Sequence, residues 1–414
     1  MSGIVLSASV RQNLLSLQST AELLSTTQNR LATGNKVNSA LDNPTNFFTA
    51  QGLNNRASDI TNLLDGIGNG VQVLQAANTG ITSLQKLVDT AKSIASQVLQ
   101  TTVGYSVKAS ATTAAPTGAG VLAVAGTAAD LTNAGTNSLN GKTFVFTPAT
   151  GAATTVTISS TVAAGNVNSI DAFNTALSAA GIGLTASLAS NGSVTFTSTN
   201  DNASQTLTLG TTAAANTVAL SGTGTFALVT PTGGTAGAPV ADAGSQAIRT
   251  GLVNQYNGII AQITTTSQDS SFNGINLLNG DTLKLTFNET GKSTLSIQGV
   301  TFNAGGLGLA ALTVGTDFLD NSSANKTLTA LGTASTSLRT EASALGSNLS
   351  IVQIRQNFSK NLINVLQTGS SALTLADTNE EAANSQALST RQSIAVSALA
   401  LANSAQQSVL QLLR

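Results

Sequence analysis

The sequence predicts a mainly α-helical fold with an α+β insertion: long helices from the N- and C-terminal ends form a coiled-coil rod with an inner β-hairpin, and a strand-rich domain interrupts them. Three observations predict this fold class. Apolar residues recur in steps of three and four near both ends of the chain. Four of the five prolines lie between residues 106 and 240. The same segment holds only 2 of the 17 basic and 3 of the 18 acidic residues, so the composition changes at its limits.

The first predicted helix follows an a/d seam, the apolar stripe that one helix presents to a partner. Its members are Val10, Leu14, Leu17, Ala21, Leu24 and Leu31. Gln28 interrupts the series. Gly34 is the expected stop, because glycine readily adopts the left-handed conformation that ends many helices.

A second helix is predicted to begin at Asn43 and Pro44, which suit the N-cap and the first helical position. Its seam comprises Leu53, Ala57, Ile60, Leu64, Ile67, Val71, Leu74, Ile81 and Val88. Over residues 44–98 the helix would be on the order of 80 Å long, which predicts a rod. Glycines interrupt it, each costing roughly 1 kcal/mol relative to alanine, so its stability must come from packing. They are Gly52, Gly66, Gly68, Gly70 and Gly80.

Residues 106–240, called the inserted module below, are predicted to form a small α+β unit because short apolar runs alternate there as in strands. These runs include Phe144 and Phe146, Val156 and Ile158, Leu184, Ala186 and Leu188, Val194 and Phe196, and Leu207 and Leu209. Asn191-Gly192 predicts a hairpin turn, and residues 171–180 predict a short helix over the sheet. Stretches rich in Gly, Thr, Ala and Pro near 110–128 and 230–240 are interpreted as the joints of the module.

Helical periodicity returns after the module. A helix over 242–266 would place Ile248, Leu252, Ile259 and Ile263 on one face, and alternation around a turn at 289–292 predicts a β-hairpin over 283–297. A third long helix is predicted over 322–366. Its seam comprises Ala324, Leu328, Leu331, Leu338, Ala342, Leu345, Leu349, Val352, Ile363 and Leu366.

The last segment carries two neighbouring apolar seams. The first contains Ala387, Ile394, Ala398, Leu401, Ala405 and Leu412, and the second contains Leu388, Ala395, Leu399, Ala402, Val409 and Leu413. Together they form an apolar face too broad for one partner helix. We therefore expect the N- and C-terminal helices to pair and to turn their remaining apolar faces towards neighbouring molecules. An intramolecular bundle is the alternative.

The composition excludes most enzyme chemistry. The chain has no Cys, His or Trp, so it lacks disulfides, thiolate nucleophiles, imidazole bases and every zinc site that needs nitrogen or sulfur ligands. We expect no catalytic, cofactor or metal site, and interpret Asp377, Glu380 and Glu381 as a solvated helical turn. A net charge of −1 argues against nucleic acid as a partner. The absence of a long apolar run predicts no membrane insertion and no cleaved secretory signal.

Three short segments carry a recognisable pattern. Residues 30–40 read Arg-Leu-Ala-Thr-Gly-Asn-Lys-Val-Asn-Ser-Ala, residues 272–274 read Phe-Asn-Gly, and residues 408–414 read Ser-Val-Leu-Gln-Leu-Leu-Arg. In this combination the chain resembles the bacterial flagellins, the subunits of the flagellar filament. The residues that carry the resemblance include Arg30, Gly34, Asn38, Asp42, Phe272, Asn273, Gly274 and Arg414.

The resemblance implies a layered architecture. Residues 1–40 with 370–414 would form the innermost terminal coiled coil. Residues 41–105 with 241–369 would form a helical rod domain that includes the hairpin 283–297, and residues 106–240 would form an outer, surface-exposed α+β domain. Residues 144–209 resemble the flagellin insertion motif. In the best-known flagellins the outer insertion follows the inner hairpin, whereas here it precedes it, so their outer-domain geometry is not carried over.

The resemblance also implies a function: a structural subunit, not an enzyme, that polymerises into the extracellular filament used for swimming. We expect the assembly interface to include Leu14, Leu17, Leu24, Ile394, Leu401, Val409 and Leu412, because buried apolar area is the main drive for association. The alternative for these residues is an ordinary intramolecular core. Alternatives for the whole chain are a hook-filament junction protein, or a filament subunit whose outer domain has an added adhesive role.

The partners implied by the resemblance are further flagellin copies, the filament cap, the hook-junction proteins and the flagellar secretion apparatus. A cytosolic export chaperone would bind the C-terminal helix near residues 387–413. Residues 89–97 correspond to the stretch that an innate receptor of animals reads, but Thr90 and Ser93 replace an arginine and a glutamate of the recognised pattern, which predicts weak or no recognition. Charges such as Arg30, Lys36, Asp42 and Arg391 set the helix register or form a solvated face.

Overall fold

A computed structural model describes residues 8–113, 131, 141, 143–146, 154–161, 163–189, 193–208, 217–220, 225–227 and 235–412. Most of these residues are helical, as the sequence predicts. The helices are α1 (Ala8–Thr33), α2 (Pro44–Gln100), α3 (Ile170–Ala179), α4 (Ala243–Asp269), α5 (Asn321–Thr374) and α6 (Thr378–Leu412). The strands are β1 (Tyr105–Val107), β2 (Ser110–Thr112), β3 (Thr143–Phe146), β4 (Thr154–Ile158), β5 (Asn166–Val167), β6 (Leu184–Leu188), β7 (Val194–Ser198), β8 (Thr206–Thr208), β9 (Thr217–Leu220), β10 (Thr225–Ala227), β11 (Thr235–Gly237), β12 (Val240–Ala241), β13 (Thr282–Thr286) and β14 (Thr294–Gln298).

The chain divides into two compact units. The first comprises residues 1–72, 283–297 and 348–414, and the second comprises 73–282 and 298–347. In the first unit α1 lies against α6. Ala57 and Ile60 of α2 pack there against Ile363 and Leu366 of α5. The predicted pairing of the terminal helices is therefore confirmed.

The predicted helix boundaries are close to those observed. Asn43 is the N-cap of α2, since its side-chain oxygen accepts a hydrogen bond from the backbone N–H of Asn46 at 3.0 Å. Gly34 follows the end of α1 with a φ of 71°, the left-handed conformation expected of a helix stop. The hairpin β13–β14 turns through Gly291, whose φ is 70°.

The glycines of α2 fall into two classes. A Cβ atom at Gly52, Gly66 or Gly68 would meet nothing within 4 Å. A Cβ at Gly70 would overlap the Leu285 side chain of the hairpin, and one at Gly80 would lie 2.7 Å from both Leu278 Cδ1 and Ser270 Cβ. Only Gly70 and Gly80 therefore allow a close approach of other elements to α2.

In the second unit the inward face of α4 differs from the predicted one. Leu252 and Ile263 are buried as expected, but Ile248 is 57% exposed and the neighbouring Arg249 is completely buried in its place. Ile259 is half-buried, so the prediction was wrong only at Ile248, because periodicity cannot register a charged residue that finds enough hydrogen-bond acceptors inside.

The inserted module contains the strands and the short helix that the sequence predicts. Strands β11-β2-β7-β6 form one four-stranded sheet and β5-β4-β3-β9 another. Between them Phe144, Phe146, Phe173 and Phe196 pack with ring centroids 5.2–6.0 Å apart. Helix α3 supplies Phe173 to this core.

Two details of the module differ from, or lie beyond, the predictions. Strands β6 and β7 pair antiparallel from Leu184↔Ser198 to Leu188↔Val194, but the turn residues Asn191 and Gly192 lie outside the described residues, as does Leu209. Residues 110–112, interpreted as part of a joint, instead form the strand β2 between β7 and β11. The joint lies earlier, where β1 pairs antiparallel with β12.

Candidate assembly surface

The pairing of α1 with α6 decides which apolar residues remain free. On α6 the second predicted seam is turned inward, since Leu388, Ala395, Leu399 and Ala402 are half-buried. The first seam is turned outward, with Ile394 64% and Leu401 72% exposed. The terminal pair therefore presents a large apolar stripe to solvent.

On α1 the predicted assembly residues share one seam and are all partly covered. Leu17 and Leu24 are half-buried, and Leu14 is 37% exposed. Thr27 is buried and Gln28 exposed, so a buried threonine continues the seam where Gln28 breaks the apolar series. Further exposed apolar residues, which the sequence did not single out, are Leu15, Leu23 and Leu31 of α1 and Val396 of α6. The side chains of Val409 and Leu412, and the whole of Arg414, lie outside the described residues.

The signature segment that follows α1 ties it to the start of α6. Gly34 O accepts a hydrogen bond from Ala376 N at 2.9 Å, and Thr374 O accepts one from Lys36 N at 2.7 Å. Asn35 and Leu375 form an isolated antiparallel bridge between these bonds. These main-chain bonds fix the point from which α1 and α6 begin to run together.

One ion pair crosses the terminal helix pair. Arg30 Nη1 lies 3.2 Å from Glu381 Oε1, and the Glu381 side chain is only 10% exposed against 38% for Arg30. Asp377 caps α6 by accepting hydrogen bonds from the N–H groups of Asn379 and Glu380. The interpretation of Asp377, Glu380 and Glu381 as a solvated turn was therefore wrong for Glu381, which is buried against Arg30.

Asp42 closes the loop between α1 and α2. Its Oδ2 accepts hydrogen bonds from Asn38 N at 3.0 Å, Ser39 N at 2.8 Å and Ser39 Oγ at 3.1 Å. These bonds, the backbone N–H of Ser39 first, lower the pKa of Asp42 because they favour the carboxylate. Asn38 adds a bond from its side chain to Asn35 O. The signature residues Asn38 and Asp42 thus set the loop conformation.

The Phe272-Asn273-Gly274 segment forms a tight turn. Phe272 and Ile275 exchange two backbone hydrogen bonds of 3.0 Å. Asn273 and Gly274 both have positive φ angles, 50° and 78°, the combination that a two-residue type I′ turn requires. The signature at this position is therefore explained by turn geometry.

A second free apolar stripe lies on α5, where the apolar periodicity had predicted only an inward seam. Ile351, Ile354, Phe358 and Val365 follow one another at helical spacing and are 45–66% exposed. On the opposite side of the same helix Val352, Ile363 and Leu366 are buried. These apolar residues are visible in the sequence at helical spacing. They overlap along the chain with the inward seam, so only that seam was recognised.

The described residues offer no group of three or more acidic, His or Cys side chains able to hold a metal ion. Within the same residues, no helix has a run of apolar residues sufficient to cross a membrane. What this surface offers to a partner is its exposed apolar area.

Comparison with known proteins agrees with the terminal signatures. Residues 5–117 match the family model of the bacterial flagellin N-terminal helical region, and residues 328–413 match that of the bacterial flagellin C-terminal helical region. Flagellin FljM of Caulobacter vibrioides is 33% identical over 168 residues, which cover 39% of this chain and 59% of the relative.

Two further relatives come from other bacteria. The flagellin of Brucella melitensis is 30% identical over 177 residues, covering 39% of this chain and 61% of the relative. Flagellin A of Rhizobium meliloti is 38% identical over 81 residues, 20% of each chain. The chain spans 59% and 61% of the lengths of the Caulobacter and Brucella proteins it matches. With both terminal helical regions present and folded as paired helices, the chain belongs to the bacterial flagellins.

Proposed function

We propose that this chain is the structural subunit of an extracellular bacterial flagellar filament and acts in swimming motility as a passive polymer. The observation that supports this most is the apolar stripe on the paired terminal helices, where Ile394 and Leu401 remain 64% and 72% exposed. A large apolar side chain contributes about 1.5–3 kcal/mol when it moves from water into a packed contact. Burial of this stripe between neighbouring copies would therefore stabilise the polymer.

The two free stripes suit an open helical polymer. Such a polymer needs contacts between different patches of neighbouring copies, because a patch that pairs only with itself closes a dimer. The α6 stripe and the α5 stripe are different surfaces of the same chain. In the proposed filament, residues 1–40 with 370–414 form the innermost layer, residues 41–105 with 241–369 the rod layer, and residues 106–240 the outer layer.

A double substitution tests the α6 stripe. Ile394→Asn with Leu401→Asn removes two exposed apolar side chains, and Gln386→Asn with Gln407→Asn is the matched control on exposed polar positions of the same helix. We expect the critical concentration for polymerisation to rise by about tenfold or more in the first variant and little in the control. Sedimentation and negative-stain microscopy measure it.

Deletion of residues 395–414 is the stronger version of the same test. We expect the truncated protein to form no filaments, since the predicted interface residues Leu401, Val409 and Leu412 are then absent. Wild-type polymerisation of either the truncated protein or the double variant would contradict the proposal.

The proposed partners follow from the family. They are further copies of the chain, the filament cap, the hook-junction proteins, the flagellar secretion apparatus and an export chaperone at residues 387–413. The exposed apolar side chains of Ile394, Val396 and Leu401 support the chaperone site, because a helix with such a face suits a hydrophobic groove. A pull-down with peptides of residues 378–414, with and without the Asn substitutions, tests it.

Weak or absent recognition by the innate flagellin receptor is also proposed. Thr90 and Ser93 are both exposed on α2, so each is accessible where the recognised pattern has a charge. A full response of reporter cells to purified monomer would contradict this.

The alternative of a hook-filament junction protein is less favoured, because the curated relatives are named flagellins. Counting copies per filament by quantitative gel analysis separates the two. An adhesive role of the outer domain has no supporting observation among the described residues.

A further inference from the structure

Arg249 is a fully buried cation that forms no ion pair among the described residues, although the nearby Asp320 carboxylate favours its charged form. It lies near the start of α4 and is 0% exposed. Its three nitrogens donate six hydrogen bonds, five of them to main-chain carbonyls. The acceptors are Thr102 O at 2.8 Å, Phe318 O at 2.6 Å, Asp320 O at 3.3 Å, Val98 O at 3.0 Å, Thr101 O at 3.0 Å and Asn321 Oδ1 at 3.0 Å.

The acceptors come from two ends of long helices. Val98, Thr101 and Thr102 lie at the C-terminal end of α2, where the last carbonyl groups lack the usual i+4 donor and the helix dipole is negative. The Val98 carbonyl also accepts hydrogen bonds from Thr101 N at 3.3 Å and Thr101 Oγ1 at 2.8 Å. Phe318, Asp320 and Asn321 lie where the chain enters α5. A residue of α4 thus holds together the end of one helix and the beginning of another.

This cluster sits where the chain enters and leaves the inserted module. We define the neck as residues 101–107 and 240–246, which run antiparallel through the pairs Tyr105↔Ala241 and Val107↔Val240. Gly104 is its centre: Gly104 O accepts from Asp242 N at 3.0 Å, and Gly104 N donates to Leu319 O at 3.1 Å.

Side chains reinforce the neck on both of its strands. The hydroxyl groups of Thr102 and Ser245 are hydrogen-bonded at 2.8 Å. From the module, Ser204 Oγ donates to Asp320 Oδ2 at 2.7 Å. Every segment that joins the module to the helices is therefore within one or two hydrogen bonds of Arg249.

A general stabilising role does not account for the choice of residue. Burying an arginine is costly in itself and is offset here only by its hydrogen bonds, so an apolar core residue would serve general stability at a lower cost. Six converging oxygen acceptors, however, need several donors fanned in one plane, and only a guanidinium supplies them from a single side chain.

We infer that Arg249 locks the neck, so that the inserted module is held in a fixed orientation on α2, α4 and α5 and does not swing on a flexible tether. The consequence of a locked neck for a polymer rests on the proposed function. In a filament each copy would hold its module at the same position, so the outer surface would be ordered. Arg249 acts here as a positioning residue.

Hydrogen exchange of the full-length monomer tests the lock without requiring a filament. The variants are Arg249→Met and Arg249→Lys, and Arg339→Met is the matched control because Arg339 is an exposed arginine of α5. We expect exchange in peptides covering residues 101–107 and 240–246 to accelerate by on the order of tenfold in Arg249→Met. Peptides of the β6–β7 pair should keep wild-type protection. The exchange rate of the neck peptides in Arg249→Lys should lie between those of the wild type and Arg249→Met.

Three outcomes would overturn the inference: unchanged protection of the neck in Arg249→Met, an equal loss of protection in β6–β7, or neck exchange that is already fast in the wild type. If Arg249→Met does not fold, Arg249→Lys carries the same comparison, because lysine keeps the charge but supplies fewer donors to the neck carbonyls.

Electron microscopy of filaments adds an independent readout. We expect helical averaging to give sharp density for the module in wild-type filaments and smeared density in those of Arg249→Lys, with the same inner core in both. Smeared module density in the wild type would overturn the inference. Failure of the wild type to polymerise would instead contradict the proposed function, and the exchange result would stand.

Discussion

At the scale of single residues, the signature segment that follows α1 has local physical roles. Asp42 accepts three hydrogen bonds, Gly34 takes the left-handed conformation, and Arg30 meets Glu381 across two helices. Each of these residues fixes how α1 turns into α2 or how α1 meets α6. The segment therefore acts as the anchor of the terminal helix pair.

The pairing of Arg30 with Glu381 predicts a measurable coupling. In a double-mutant cycle of Arg30→Gln and Glu381→Gln, we expect a coupling of about 0.5–1 kcal/mol, since one partner is partly solvated. Arg30→Gln alone should cost more than Glu381→Gln, because it leaves the nearly buried Glu381 carboxylate without its cation. Urea unfolding followed by circular dichroism measures both.

Arg391→Gln is the control for this cycle, because Arg391 is an exposed arginine of α6. We expect it to change the free energy of unfolding little. A coupling indistinguishable from zero would mean that Arg30 and Glu381 lie close without setting the register.

Asp42 predicts a pH dependence with a defined sign. Its pKa in the folded chain lies below the ordinary value of 3.8, so its contribution to stability is complete above that value and is lost as the pH falls through the lowered pKa. The stability difference between wild type and Asp42→Asn should therefore be constant near neutral pH and shrink only in strong acid. In Ser39→Ala, which removes one of the donors, the loss should begin at a higher pH. Thermal unfolding across the pH range measures this, and a difference that does not vary with pH would contradict it.

At the scale of elements, α2 shows what separates a tolerated glycine from a required one. Gly66 faces open space, whereas Gly80 faces Ser270 and the fully buried Leu278. The helix therefore carries glycine for packing at one position and not at the other.

This contrast predicts opposite signs for the same substitution. Gly66→Ala should stabilise the chain by about 0.5–1 kcal/mol, because alanine loses less entropy in a helix. Gly80→Ala should destabilise it by about 1–3 kcal/mol, because the neighbouring side chains must move from a packed site. Urea midpoints of the two variants provide the comparison, and stabilisation by both would show that the approach at Gly80 is not tight.

The elements also mark where sequence reasoning succeeds. Helix α2 was predicted to within two residues of its end, because many apolar residues follow the same period. Helix α5 begins within one residue of the predicted start but continues to Thr374, eight residues beyond the predicted end at 366. The sequence could not decide which face of α6 is free, because its two seams are adjacent and equally apolar. The structure shows that the seam of Leu388 and Leu399 is half-buried, whereas the seam of Leu401 faces solvent. Arg249 was missed because its role depends on carbonyls from residues about 70 and 150 positions away.

At the scale of the whole molecule, apolar packing outweighs charge. The described residues contain two ion pairs, Arg30–Glu381 and Arg56–Glu289, in a chain with only 8% charged residues. Both lie in the unit that contains the terminal helices. The second unit contains the aromatic core of the module and the hydrogen-bonded neck, so the proposed roles in assembly and display rest on different interactions.

That separation predicts that the module can be excised without loss of assembly. Val107 and Val240 are directly paired on antiparallel strands, so replacing residues 108–239 by Asn-Gly closes them with a two-residue hairpin turn. The shortened chain keeps Arg249, all its acceptors and both terminal helices, and loses the bond from Ser204 to Asp320. We expect it to fold with high helical content by circular dichroism and to form filaments at a critical concentration within about threefold of the wild type, since a threefold change is less than 1 kcal/mol. A folded but monomeric product would place essential assembly contacts in the module.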